Sequence, residues 1–244
     1  MRLHAGAADT LRDLQLHRDR GLLLSSMAVK DMRSLWVTAA ALATLFLGGC
    51  AASIGYRAAY VPGGPTPPVD HVRGRVLVFT TLTDDNRSII PGATSVTAFK
   101  MNVQAGIMAR EIAVSVFSRV ADGADESHDL ANTSRYAIIF RPQIENIDYG
   151  FTHPKHLGIE VTPQVRVVMR ITLLDPIGRV LLEKDYDSGP VSNGRSFVSE
   201  KLVGRTDVLV HEAIYDLMLR AAGDVHMFQQ TQAAAARANR TSDR

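Results

Sequence analysis

Cysteine is nearly missing from this 244-residue chain: Cys50 is its only one. A lone thiol cannot close an intramolecular disulfide, so no disulfide framework supports the fold. Aromatic residues make up only 6%, with a single tryptophan. There is no run of basic residues, and 27 Lys and Arg face 25 Asp and Glu. Nucleic-acid binding needs concentrated positive charge to displace counterions, which excludes nucleic acid as a partner. A bilayer-spanning helix takes about 20 apolar residues. The main apolar run, Leu35 to Leu47, has 13.

What surrounds that run gives it a meaning. Lys30 and Arg33 precede it, Gly48 and Gly49 follow, and Cys50 comes next. A positive n-region, a short apolar core and small residues before a cut are the layout of a signal peptide. Leu47-Gly48-Gly49-Cys50 resembles the lipobox of bacterial lipoproteins. The resemblance implies cleavage between Gly49 and Cys50, a diacylglyceryl group on the Cys50 thiol and an acyl chain on its new amino group. The membrane is then a partner through these chains. One chain holds a protein only marginally, whereas several hold it permanently. Ala51 stands where enteric lipoproteins kept at the inner membrane carry Asp. The resemblance therefore implies lipid anchoring at the outer membrane, facing the periplasm. Residues 27–49 are read as the signal peptide. Residues 1–26 are read as a dispensable or untranslated leader, with Met1, Met27 and Met32 as alternative starts.

Six of the basic and four of the acidic residues precede Cys50, so 21 of each remain and the mature stretch is neutral. Its first part, 50–74, holds Pro62-Gly63-Gly64-Pro65 and Pro67-Pro68. Such a cluster reads as a lipidated tether, stiffened toward polyproline II.

A single domain is expected over 75–225. Arg75 to Leu82 is apolar on both faces, as in a strand covered on both sides. Residues 83–97 form a long loop. Thr97 to Ala121 carries a helical stripe of Met101, Ala105, Met108, Ile112 and Val116, where Gly106 either weakens the helix slightly or allows close packing. An acidic loop holds Asp122, Asp125 and Glu126, whose spacing misses the calcium EF-hand. Arg135 to Phe151 is a strand in which Pro142 predicts an edge or a bulge. Val161 to Leu174 alternates, with Val165, Val167, Met169, Ile171 and Leu173 inward and Arg166 and Arg170 outward. Asp175-Pro176-Ile177-Gly178 predicts a tight turn into a partner strand, Val180 to Asp187, with Val180, Leu182 and Tyr186 inward. Residues 188–205 form a polar loop. Thr206 is placed to cap a helix to Ala222, and 226–244 reads as a flexible tail. The expected fold is α+β, in the order β-α-β-β-β-α, with two helices on one face of a four-stranded, mainly antiparallel sheet.

With the lipobox, this order resembles the small envelope lipoproteins of the lipopolysaccharide-assembly, YajG-like and curli-export-like kind. The resemblance implies a non-catalytic accessory or binding subunit of envelope assembly or transport, with an envelope protein as partner.

No catalytic set is apparent. His153 and His156 sit in a Pro-containing loop and lack the helical spacing of zinc proteases, so no metal is expected. His211 and Glu212 have no second ligand at helical spacing, and His211 reads as a flank or core-edge residue. No phosphate loop or other cofactor motif occurs, so no cofactor is expected. Two alternatives remain. One is a hydrolase of peptidoglycan or lipid, which requires loops 83–97 and 188–205 to converge. The other is direct glycan or lipid binding on the sheet face at Arg166 and Arg170.

Overall fold

A computed structural model describes residues 51–62, 71–93, 100–152, 160–192, 196–197 and 201–242. The elements run in this order: β1 (Ala51–Ile54), β2 (Val76–Phe79), α1 (Leu82–Asp85), β3 (Gly92–Ala93), β4 (Lys100–Val103), α2 (Ala105–Val120), β5 (Ala124–Ser127), β6 (Ile138–Thr152), β7 (Glu160–Leu174), β8 (Val180–Asp187), β9 (Val191–Ser192), β10 (Ser196–Phe197) and α3 (Lys201–Ser242). All of them belong to one compact unit, Ala51–Arg244.

The α+β expectation is met, and the four-stranded, mainly antiparallel sheet is not. The main sheet takes in eight strands in the path β10-β7-β6-β2-β5, with β3 beside β6 and β8 and β9 beside β7. One half is parallel, β2 pairing with β5 and β6. The other half is antiparallel, β6 with β7 and β7 with β8. The missed strand β5 reads Ala-Asp-Glu-Ser, without a β-branched or aromatic residue, and falls in the predicted acidic loop. Pairing with β2 decides its conformation, which composition could not. Being polar, it also blunts the sheet edge that it forms.

Both helices pack on one face. The core joins Met108, Ile112, Val116 and Phe117 of α2 to Val210, Ile214, Leu217 and Ala221 of α3. Beneath them lie Ile138, Phe140 and Ile144 of β6 and the five predicted inward residues of β7, each no more than 2% exposed. The opposite face of β2 is covered too, where Leu77 meets Tyr136, Ile139 and Leu174. That accounts for the two-sided apolarity of the strand.

Pro142 sits in β6 beyond Phe140, where pairing with β2 ends, and before Asp148, where pairing with β3 begins. Between them β6 is locally an edge among the described residues, and its register against β7 shifts between Ile144 and Asn146. Both the edge and the bulge expected of this proline are present. A second register shift, between Leu173 and Leu174, pairs Leu174 with Val180 and skips Leu181. It turns Val180 out, at 61% exposed, against the expectation that it faces inward.

The helix expected from Thr97 begins at Ala105. Met101, read as part of its stripe, is buried in β4, which lies parallel to β1. Gly106 does permit close packing: a Cβ there would stand 1.8 Å from the Asp84 carbonyl oxygen. Thr206 is a buried residue within α3 and caps nothing, because the helix already starts at Lys201. The helix runs to Ser242, through the residues read as a tail, and 234–240 are exposed. No helix among the described residues is long and apolar enough to cross a membrane. The stretch read as a tether is also structured in part. Residues 51–54 form β1, Ala58–Tyr60 form a 3-10 turn, and Ile54 and Val61 are buried in the main core.

Candidate functional site

Arg166 and Arg170 project from the sheet face that carries no helix, as their alternation with buried neighbours requires. On this face they are already paired. Arg166 donates from Nε to Asp187 Oδ1 at 3.0 Å, and Arg170 from Nε to Asp185 Oδ1 at 2.9 Å. Arg170 and Asp185 are direct cross-strand partners, as are Arg166 and Asp148. The Arg166 hydrogen bond, with a backbone bond from Gly189, holds the Asp187 carboxyl down at about 2. Asp185 is lowered in the same way by Arg170. These arginines form a self-neutralising ladder, and a ligand anion would compete with carboxylates already in place. The carboxylates Asp185 and Asp187 are therefore partners of cations and not an acid–base pair.

A second cluster gathers where β2 and β5 end. Thr81 caps α1 reciprocally with Asp84, which turns the Asp84 and Asp85 side chains back toward the sheet. Asp84 accepts from Arg141 Nη2 at 2.9 Å. Asp85 accepts from Arg110 Nη1 at 2.6 Å and from Thr80 Oγ1 at 2.8 Å. Arg110 also reaches Glu111 and Glu126. His128 closes the group. Its Nδ1 lies 2.9 Å from the Thr80 carbonyl oxygen, which can only accept, so Nδ1 carries the proton. Its Nε2 then faces Arg110 Nη1 at 3.3 Å.

Thr80, His128 and Asp85 bring a hydroxyl, an imidazole and a carboxylate together, yet the set is not armed. The Thr80 hydroxyl donates to Asp85, is 1% exposed, and finds no lone pair on Nδ1 to take its proton. The arrangement can do one thing well, which is to lock α1 and α2 to the sheet through ion pairs. The same holds for the acidic loop. Asp125 is pulled low first by its hydrogen bond from Arg75, and Asp122 by His71. Among the described residues no three His, Cys, Asp or Glu side chains are placed to hold a metal.

The third cluster was not legible in the sequence. His211, read as a flank or core-edge residue, is completely buried in α3. Its Nε2 accepts from the Arg57 backbone N–H at 2.9 Å, so Nδ1 is protonated and donates to the Asp207 carbonyl at 2.9 Å. Arg57 Nε meets Asp207 Oδ2 at 3.2 Å, and the Tyr60 ring stands edge-on to the imidazole at 5.4 Å. Glu212, the neighbour on α3, is raised by burial and then by Asp216. No local signal links Arg57 to a residue 154 positions away, so only a contact could reveal this clamp.

The two loops required for hydrolysis do not converge in their described parts. β3 pairs with β6 at Asp148 and Tyr149, and β9 pairs with β7 at Gln164 and Val165. They flank the β6–β7 pair on opposite sides, three strand spacings or about 14 Å apart. Ser188 and Val191 instead line a shallow pocket of about 410 Å³ against Asp216, Leu219 and Arg220 of α3. Another groove, of about 440 Å³, lies between Arg73, Leu181 and Phe228. Gly49, Cys50, His153 and His156 lie outside the described residues.

No protein-family model matches the chain, and no curated protein matches it. It is similar to a solved structure from Xanthomonas campestris, of the family model DUF330, at 13% identity and a TM-score of 0.48, covering 75% of this chain and 99% of that one. It is also similar to a minor lipoprotein from Acinetobacter baumannii, at 10% identity and a TM-score of 0.35, covering 65% and 95%. A third is an uncharacterized lipoprotein B from Nitrosomonas europaea, at 11% identity and a TM-score of 0.38, covering 68% and 93%. Likeness at this level says nothing of what this chain binds.

Proposed function

We propose that the chain is a lipoprotein anchored by acyl chains on Cys50 to the outer membrane, facing the periplasm. Its folded domain serves there as a non-catalytic accessory or binding subunit of envelope assembly or transport. The observation that carries the reading is Leu47-Gly48-Gly49-Cys50 directly behind a 13-residue apolar run and a basic n-region. The non-catalytic role is supported by the clusters around Asp85 and Asp187, whose carboxylates are engaged by arginines. An envelope protein is the partner that such a subunit positions.

Cells fed radioactive palmitate should label the wild-type protein and not Cys50→Ala. Equal labelling of the two would end the lipoprotein reading.

A further inference from the structure

The residues that follow the lipidation site are built into the domain. β1 lies parallel to β4 in full register, Ala51 beside Lys100 and Ile54 beside Val103. The Ile54 carbonyl accepts from Gln104 N at 2.9 Å. Three residues later the Arg57 N–H is held by the buried His211. Arg119 Nη1 then donates to the Pro62 carbonyl at 2.6 Å. Ile54 and Val61, at 1% and 6% exposed, are core residues of the same cluster as both long helices. The segment 51–62 is thus fastened by a strand, by a buried imidazole and by two apolar side chains.

We propose that the acyl anchor is a short, rigid mount that seats the β1–β4 side of the domain against the lipid headgroups. The inference rests on the lipoprotein reading and adds the face that meets the bilayer. Its geometry follows from chain length. A tether over residues 50–74, drawn out as polyproline II at about 3.1 Å per residue, would let the domain stand about 75 Å away. From Cys50 to the buried Ile54 there are four residues, about 13 Å of strand. The body therefore cannot leave the headgroup layer unless 51–62 unzips. The adjoining surface suits that position. Ile89 exchanges two backbone hydrogen bonds with Val103 at 2.9 Å, so the chain after it runs back along β4 toward the anchored end. The next residue, Ile90, is 70% exposed. An isoleucine exposed close to these strands gains by entering the lipid interface.

Acylation consumes the thiol of Cys50, so an introduced cysteine is the only free one in the mature lipoprotein. The full-length acylated protein is reconstituted in vesicles of phosphatidylethanolamine and phosphatidylglycerol. A nitroxide is placed on Ser53→Cys in one sample and on Ala234→Cys in another; both side chains are exposed. Ala234 lies about 35 Å along α3 from the clamp at His211. Collision with oxygen and with a water-soluble nickel chelate reports the depth of each label. The Ser53 label should read the headgroup layer and the Ala234 label open water. Twelve Gly and Ser residues inserted between Cys50 and Ala51 should shift the Ser53 label to the aqueous value, without touching the fold. A Ser53 label as aqueous as that at Ala234, and unmoved by the insertion, would overturn the flush seating while leaving lipidation intact. Failure of Cys50 to acylate in the palmitate experiment would remove the lipoprotein reading and the seating with it.

Discussion

Single residues carry much of the fit between elements. Gly106 opens α2 against the turn at Asp84, and its N–H donates to the Arg87 carbonyl at 3.2 Å. Gly106→Ala would drive a Cβ into the Asp84 carbonyl oxygen, 1.8 Å away. Backbone cannot swing aside as a side-chain tip does, so the α1 turn must shift. Overpacking of this kind costs about 1–3 kcal/mol. Chemical denaturation should show that loss, and a variant as stable as wild type would mean that the close approach is absent. The sequence alone leaves Gly106 as either a slight weakness in the helix or a site of close packing. It does not show that the neighbour is a carbonyl.

At the scale of elements, α3 divides into a buried and an exposed part. Val225 and His226 are buried, and the Gln229 side chain bonds both the N–H and the carbonyl of Arg73, at 2.9 and 2.8 Å. Beyond Gln232, residues 234–240 are exposed. A chain ending at Gln232 should keep its stability within about 0.5 kcal/mol, as changes at exposed positions do. One ending at Asp224 loses Val225, Phe228 and the Gln229 bonds, and should fall by several kcal/mol. Midpoints of urea unfolding compare the two, and equal losses would contradict this division. Periodicity predicted α3 as far as the apolar stripe ran, to Ala222. Helix already nucleated needs no stripe to continue through Ala-rich sequence, which is why its end was set too early.

For the molecule as a whole, pairing of carboxylates sets the response to acid. Asp122, Asp125, Asp185 and Asp187 are lowered first by hydrogen bonds from His71, Arg75, Arg170 and Arg166. Burial alone would raise Asp84, Asp175 and Asp224, and hydrogen bonds from Arg141, Arg179 and Lys184 outweigh it. A carboxyl lowered in the folded state contributes stability that is present above its unfolded value near 4 and lost as pH falls through the folded value. Tm should therefore fall steadily from about pH 5 to pH 2. Glu212 and Asp216, both raised first by burial, oppose this by gaining on protonation. Two against seven leave the sign unchanged. A Tm that rises or stays flat over that range would show that the ion pairs are not formed in solution. Most of these pairs are exposed, and added salt should shrink the effect.

The local code was legible where one residue pattern decides one structure. The alternation of β7, the Asp175–Gly178 turn, the stripe of α2 from Ala105 onward and the bulge-prone Pro142 each depend on neighbours a few positions away, and each is where the pattern put it. Leu47-Gly48-Gly49-Cys50, which resembles a lipobox, is likewise a linear pattern. Partners distant along the chain decided the rest. β5 is a strand because β2 offers a ladder to Ala-Asp-Glu-Ser. Val180 faces out because a register shift opposite Leu174 turns it. Residues 51–62 are part of the body because His211, buried in a helix far along the chain, accepts the Arg57 N–H. A hydrogen bond between residues 154 apart leaves no trace in the composition of either segment. The proposed address thus rests on local sequence, whereas the fastening of residues 51–62 to the domain was decided by the folded contacts.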